Sequence, residues 1–194
     1  NLALLDKKSP ETSSLLKIIN FEDQHNISLS KSGVPTLFAT YPDGTKRTIH
    51  SKYDPLKEAT QFIDSCFATK NSNYIICGLG LGYHLNELIN KTSVNAKIIV
   101  IEKHPTIAIT AFTHIDFSLA LSHPGVSFNI GINPEDLENI LFNERTNIAV
   151  HGYTLINFKP LIELDKSYYS KIRTELNQVH QKFQTDINTQ AVYS

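Results

Sequence analysis

The sequence predicts an α/β protein, with a Rossmann-like, doubly wound, mostly parallel sheet. A small antiparallel β meander precedes that sheet and a long C-terminal helix follows it. Three observations carry this. The first is the run Asn73-Tyr-Ile-Ile-Cys-Gly78-Leu-Gly80-Leu-Gly82-Tyr-His84. It reads as a buried strand, a glycine turn and the start of a helix. The second is Lys97-Ile-Ile-Val-Ile-Glu102, a buried strand ending on an acid. The third is a recurrence of short apolar runs and amphipathic stretches through the middle of the chain, the βαβα pattern of a parallel sheet.

Glycines at 78, 80 and 82 let the chain turn sharply and bare the backbone N–H groups that open the next helix. The pattern is Gly-x-Gly-x-Gly, and Tyr83 stands where a dinucleotide fingerprint has its third glycine. That argues against NAD or FAD. Two readings stay open: a tight β-to-α turn that binds nothing, or a cofactor seat made by Gly78, Gly80, Gly82, Tyr83 and Glu102. In the second, Glu102 is an exposed acid that accepts hydrogen bonds from a ribose. The turn alone fits an S-adenosylmethionine-type seat better than a dinucleotide one; the expectation for the whole chain is a nucleotide or nucleotide sugar, with S-adenosylmethionine ranked behind them.

Taken in order, Ser9-Pro10-Glu11 starts a short amphipathic helix over 11–25, with Ser9 as cap and Leu15, Leu16, Ile18, Ile19 and Phe21 as its apolar face. Ile27-Ser-Leu-Ser30, Thr36 to Tyr41 and Thr45 to His50 form the meander, with Pro42-Asp43-Gly44 as a hairpin turn. Asp54-Pro55 caps a helix whose buried stripe is Ala59, Phe62, Ile63 and Cys66. His50, Ser51, Lys52 and Tyr53 before it read first as capping and solvated loop, second as a binding loop at the mouth of the sheet.

After Glu102, Pro105 starts a helix to Phe112, and a second short one includes Phe117 to Leu121. Residues 126–130 are a third strand, Asn133-Pro134 opens a helix to Phe142, and 146–151 are a fourth strand ended by Gly152. The expected strand order is 3-2-1-4. His151-Gly152-Tyr153 then falls beside the glycine turn at the switch point. Pro160 to Asp186 reads as one helix of about 27 residues and roughly 40 Å, too long to pack along its whole length. The expected domains are 1–50, helix and meander; 51–157, the α/β unit; and 158–194, the long helix leading towards a further domain.

The chain has 194 residues, is 41% hydrophobic and 19% charged, and carries a net charge of −1. Such a balance, without a basic stripe, argues against nucleic acid. No apolar run approaches a membrane span, and Asp6-Lys7-Lys8 breaks up the short apolar start, so no signal peptide is expected. Cys66 and Cys77 are expected as reduced core thiols in a cytoplasmic protein. With no Met in the chain, a processed or excised piece of a longer protein is expected. No histidine pair has ligand spacing, so no metal site is expected. The acids at 135, 136 and 138 are explained by a helix N-terminus. No catalytic residue is assigned.

Several runs taken together resemble a known family. His50-Ser-Lys-Tyr-Asp-Pro-Leu-Lys-Glu58-Ala59, Cys77-Gly-Leu-Gly-Leu-Gly-Tyr-His84 and Val100-Ile-Glu-Lys-His-Pro105 are similar to the N-terminal region of the Maf motility accessory factors. The resemblance covers about residues 33–194. It implies a cytoplasmic, flagellin-modifying glycosyltransferase that places nonulosonic acids on Ser or Thr. It also implies a larger catalytic domain downstream, related to hydroxymethylpterin pyrophosphokinase-like proteins, with flagellin as a partner. This stretch would then be a module of that enzyme, serving as scaffold, dock or accessory nucleotide site, and not catalytic alone. The competing readings are a small-molecule methyltransferase using S-adenosylmethionine and a degenerate Rossmann domain that binds only protein. Against the methyltransferase, His151-Gly-Tyr-Thr lacks the Asn/Asp-Pro-Pro-aromatic run, and the long last helix leaves no room for a final hairpin.

Overall fold

The computed structural model describes residues 1–18, 27–67 and 72–193. Two short helices open the chain, α1 (Leu2–Lys8) and α2 (Pro10–Ile18). Ser9 joins them, closing α1 and accepting the Ser13 N–H into α2. Only α2 is foreseen in the sequence, and its expected extension to residue 25, with Ile19 and Phe21, lies outside the described residues. Leu5 and Leu16 are fully buried, because α1 packs against α6 (Ser118–Ser122) and α2 against α5 (Pro105–His114).

The meander follows as β1 (Ile27–Leu29), β2 (Pro35–Thr40) and β3 (Lys46–Thr48), antiparallel and in that order. The Tyr41–Thr45 turn closes on the bonds Gly44 N to Tyr41 O and Tyr41 N to Thr45 O. Next is α3 (Pro55–Cys66), where Asp54 accepts from the N–H groups of Leu56 and Lys57 at 3.1 and 3.0 Å. That cap satisfies two of the donors every helix start leaves free.

The second sheet is parallel. Its strands are β4 (Asn73–Cys77), β5 (Lys97–Glu102), β6 (Val126–Ile130) and β7 (Thr154–Asn157), in the order β6-β5-β4-β7. Ile75 lies opposite Ile99 on one side and Leu155 on the other. All five residues of β4 are buried, as for a strand covered on both faces. The edge strand β6 alternates buried and more open positions. Helix α4 (Tyr83–Lys91) follows β4 and packs on α3, and α5 and α6 connect β5 to β6. After β6 come a 3₁₀ turn (Pro134–Asp136), α7 (Leu137–Leu141), a second 3₁₀ turn (Phe142–Glu144) and α8 (Arg145–His151).

Two expectations are corrected here. Residues 146–151 are helix α8, so the predicted 3-2-1-4 order, with that segment as its fourth strand, is not the observed one. The place beside β4 is taken by Thr154–Asn157. The reason is burial: of Thr146-Asn-Ile-Ala-Val-His151 only Ile148 is buried and Val150 is 60% exposed, whereas a strand inside a parallel sheet needs both faces covered. The long C-terminal helix is also two helices, α9 (Lys159–Leu164) and α10 (Lys166–Tyr193). The break is Asp165, whose carboxylate accepts from the Tyr168 N–H at 3.2 Å and pairs with Lys103. Along α10, Tyr168, Tyr169, Ile172, Leu176, Val179 and Phe183 are buried, a helical stripe whose last member among the described side chains is Phe183. Neither cysteine is in a disulfide, and Cys77 is buried. Among the described residues no helix is long and apolar enough to cross a membrane.

Candidate functional site

The glycine turn after β4 stands at the carboxyl ends of the parallel strands, where open α/β sheets take ligands. Gly78, Gly80 and Gly82 have φ of +91°, +52° and +77°, the left-handed region that side chains with a Cβ enter only under strain. They also have no room. A Cβ on Gly80 would lie 2.7 Å from His50 Nε2, and one on Gly82 would lie 2.4 Å from Phe117 Cζ. The close approach that the sequence assigns to a ligand is thus made by side chains of the same chain.

The N–H groups of the turn are also engaged. Gly78 donates to Ile101 O and Gly82 to Leu79 O, each at 2.8 Å. Leu79 N–H donates to Glu102 Oε2 and Leu81 N–H to His50 Nε2, both at 2.8 Å. Glu102 Oε1 takes the His104 N–H at 2.8 Å. This corrects the picture of an exposed acid: Glu102 is fully buried and lies under the turn with both oxygens bonded to backbone. Burial pushes its pKa up to about 7, against the downward pull of the backbone N–H groups of His104, Leu79, Gly80 and Lys103.

Tyr83 is in the same place but turns away from the strand ends. Its hydroxyl donates to Pro35 O at 2.7 Å, which ties α4 to the meander, and burial pushes its pKa up to about 12. The five residues expected at the seat are therefore brought together, with Glu102 beneath the glycines and Tyr83 beside them.

Two histidines complete the turn in opposite tautomers. His50 accepts the Leu81 N–H at Nε2, so its proton is on Nδ1, facing Glu58 Oε2 at 3.9 Å. His84 sits 2.9 Å from Gly78 O through Nε2, so that nitrogen donates; its Nδ1 is buried with no hydrogen-bond partner among the described residues. Both rings stack on Phe158, at centroid distances of 5.0 and 4.4 Å. Burial holds both in the neutral form, His84 down to about 4 and His50 well below its ordinary value.

The crevice above the strands is roofed by the C-terminal segment. Phe158 N–H bonds Cys77 O at 2.9 Å, and a Cβ on Gly78 would meet Leu161 Cβ at 2.9 Å. Tyr168 donates its hydroxyl hydrogen to Ile132 O at 3.1 Å, and Lys103 N–H reaches the Tyr169 hydroxyl at 3.4 Å. His50 and Phe158 have no place in the sequence-derived seat, because no local pattern links either to the glycines. In the first reading of residues 50–53, His50 belongs to a cap and solvated loop; it is buried at 2% exposure. That reading does fit Ser51, which accepts from the N–H groups of Tyr53 and Asp54, and the exposed Lys52 and Tyr53. His151-Gly152-Tyr153 is not beside the turn. Gly152 O accepts from Asn73 Nδ2 at 2.9 Å, at the amino end of β4. Among the described residues no group of three His, Cys, Asp or Glu side chains could hold a metal ion.

Residues 43–192 match the family model described as the glycosyltransferase Maf N-terminal domain. The chain belongs to this family. The match begins inside the hairpin turn and takes in the whole parallel sheet and nearly all of α10, and an N-terminal domain so described implies a further, catalytic domain. No curated protein matches the chain.

Proposed function

We propose that this Maf domain is the N-terminal module of a cytoplasmic protein glycosyltransferase that transfers a nonulosonic acid to Ser or Thr of flagellin, and that it serves there as scaffold and dock. Transfer belongs to the downstream domain. The observation that carries the non-catalytic role is the state of the glycine turn: its amides are held by Glu102, His50 and backbone carbonyls, and Phe158 and Leu161 fill the space above it. A nucleotide or nucleotide sugar laid over Gly78–Gly82, with Glu102 on its ribose, would have to displace those side chains and draw Glu102 off the N–H groups of Leu79 and His104. S-adenosylmethionine meets the same obstacle.

Calorimetry with nucleotides, a nucleotide-activated nonulosonic acid and S-adenosylmethionine tests the closed turn, and no saturable heat is expected from any of them. Saturable binding lost in Glu102→Ala, with the variant still folded, would return the turn to a nucleotide seat. A transfer assay with the full-length enzyme tests the rest. Removing this domain should weaken capture of flagellin and leave donor hydrolysis by the remaining domain in place.

A further inference from the structure

The outer face of the meander gathers three lysines over aromatic rings. Lys46 and Lys52 both hold their ammonium groups over the ring of the half-buried Phe38, at 5.7 and 5.8 Å, and Lys31 lies 4.4 Å over the ring of Tyr53, which is 65% exposed. These three lysines are exposed and, like several others on the surface, have no carboxylate partner among the described residues; what sets them apart is that each lies over an aromatic ring. The arrangement leaves positive charge unneutralised on an aromatic floor.

The edge of the same sheet is open. β3 is its last strand. The bonds Tyr41 N to Thr45 O and Ile49 N to Leu37 O fix the alternation of the β2–β3 ladder, so Ala39 and Arg47 are the bonded pair between them. The N–H and C=O groups of Lys46 and Thr48 therefore point away from β2. A lysine on an edge strand discourages self-pairing, yet it also selects a partner of the opposite charge.

We propose that β3 and this face receive an extended acidic segment of a partner protein, added as a fourth strand. Its main chain pairs with Lys46 and Thr48, and acids at alternate positions meet Lys46, Lys52 and Lys31. Arg47 projects from the opposite face and is already paired with Asp43, so the selectivity lies on one side. The inference deepens the docking half of the proposed function and needs no transfer activity to be read.

The test is fluorescence anisotropy with a labelled peptide of alternating Glu and Thr, added to the whole chain. Saturable binding that weakens with salt is expected, together with about a fivefold loss in Lys46→Gln/Lys52→Gln, the scale of two exposed ion pairs. The same peptide N-methylated on alternate residues should bind less well, and a Lys/Thr peptide not at all. Both substitutions are on exposed side chains, and circular dichroism checks that the fold is kept. Equal affinity for the double variant, no effect of N-methylation, or tighter binding to single-stranded DNA or phosphatidylserine vesicles would each overturn the proposal. None of these outcomes depends on whether the enzyme modifies flagellin.

Discussion

The glycine turn and the outer face of the meander are built on opposite principles. At the turn every residue from Tyr74 to Leu85 is buried, and the N–H groups of Gly78, Leu79, Leu81 and Gly82 are already bonded within the chain. On the meander, charges and backbone groups point outward with no partner in the described chain. The place where a parallel sheet ordinarily takes its ligand is here part of the core, and the unspent chemistry has moved to the small sheet beside it. A glycine-rich turn is thus a statement about close approach, and the approaching group can be a side chain as readily as a phosphate.

Substitutions can break that contrast, and the largest effects are expected at the turn. Gly82→Val combines a strained φ with overpacking against Phe117, and should cost about 3–5 kcal/mol. Gly44→Ala has a similar φ of +79° but open space around it, and should cost only about 1 kcal/mol. Urea denaturation of the two variants measures the difference, and equal losses would mean that the turn is not packed as described. Phe158→Ala should cost about 3–4 kcal/mol as a large-to-small change in the core, while Phe38→Ala on the half-buried outer face should cost well under half of that. Equal destabilisation by urea would remove the distinction between a closed and an open region.

Glu102→Ala leaves the N–H groups of Leu79 and His104 without acceptors in a buried place, and should cost about 2–3 kcal/mol. A melting temperature unchanged from the parent chain would contradict that role. The same cluster shapes the pH profile. His84, depressed to about 4 from an ordinary 6.5, contributes stability that is present above 6.5 and lost as pH falls through 4; His50 adds to it. Glu102, raised to about 7 from 4.5, contributes stability that is present below 4.5 and lost as pH rises through 7. Between 4.5 and 6.5 two histidines oppose one carboxyl, so stability should rise with pH there and peak near 6.5. His84→Phe should flatten the acid limb of the urea midpoint against pH, and an unaltered limb would sink the assignment. The smallest effect is expected on the open face, where Lys46→Gln and Lys52→Gln should each change stability by less than about 0.5 kcal/mol.

The β4–turn–α4–β5 unit is legible in the sequence for a physical reason. Strands 73–77 and 97–102 are covered on both faces, so they read as unbroken apolar runs, and the turn between them can be made only with glycine. The Asp54-Pro55 cap and the Pro42-Asp43-Gly44 turn are legible because their bonds are local. The fourth strand is not: Thr154–Asn157 is four residues with one fully buried side chain, Ile156, while the neighbouring Thr146–His151 has the β-branched residues of a strand and the one-sided burial of a helix. The break at Asp165 rests on Lys103, far away in the chain. Glu102 is legible as an acid at a strand tip, but whether it faces water or the turn is set by the roof formed by Phe158 and Leu161.

That roof carries a consequence for the order of folding. The turn at 78–82 has His50 from upstream, Glu102 from β5 and Phe158, just past the neighbouring strand β7, as its partners. A chain emerging from the ribosome can form β4, α4 and β5 and place Glu102 under the turn. It cannot cover Gly78 and Gly80 until Phe158 and Leu161 have been made. Contacts of such sequence separation carry the loop-closure cost that slows folding, so the seal at the strand ends should be among the last tertiary contacts to form during synthesis. Until then the apolar carboxyl ends of β4 and β5 stay open to solvent, an exposure that invites misassociation in partly folded chains. The turn thus reaches its closed state only once the start of α9 has been translated.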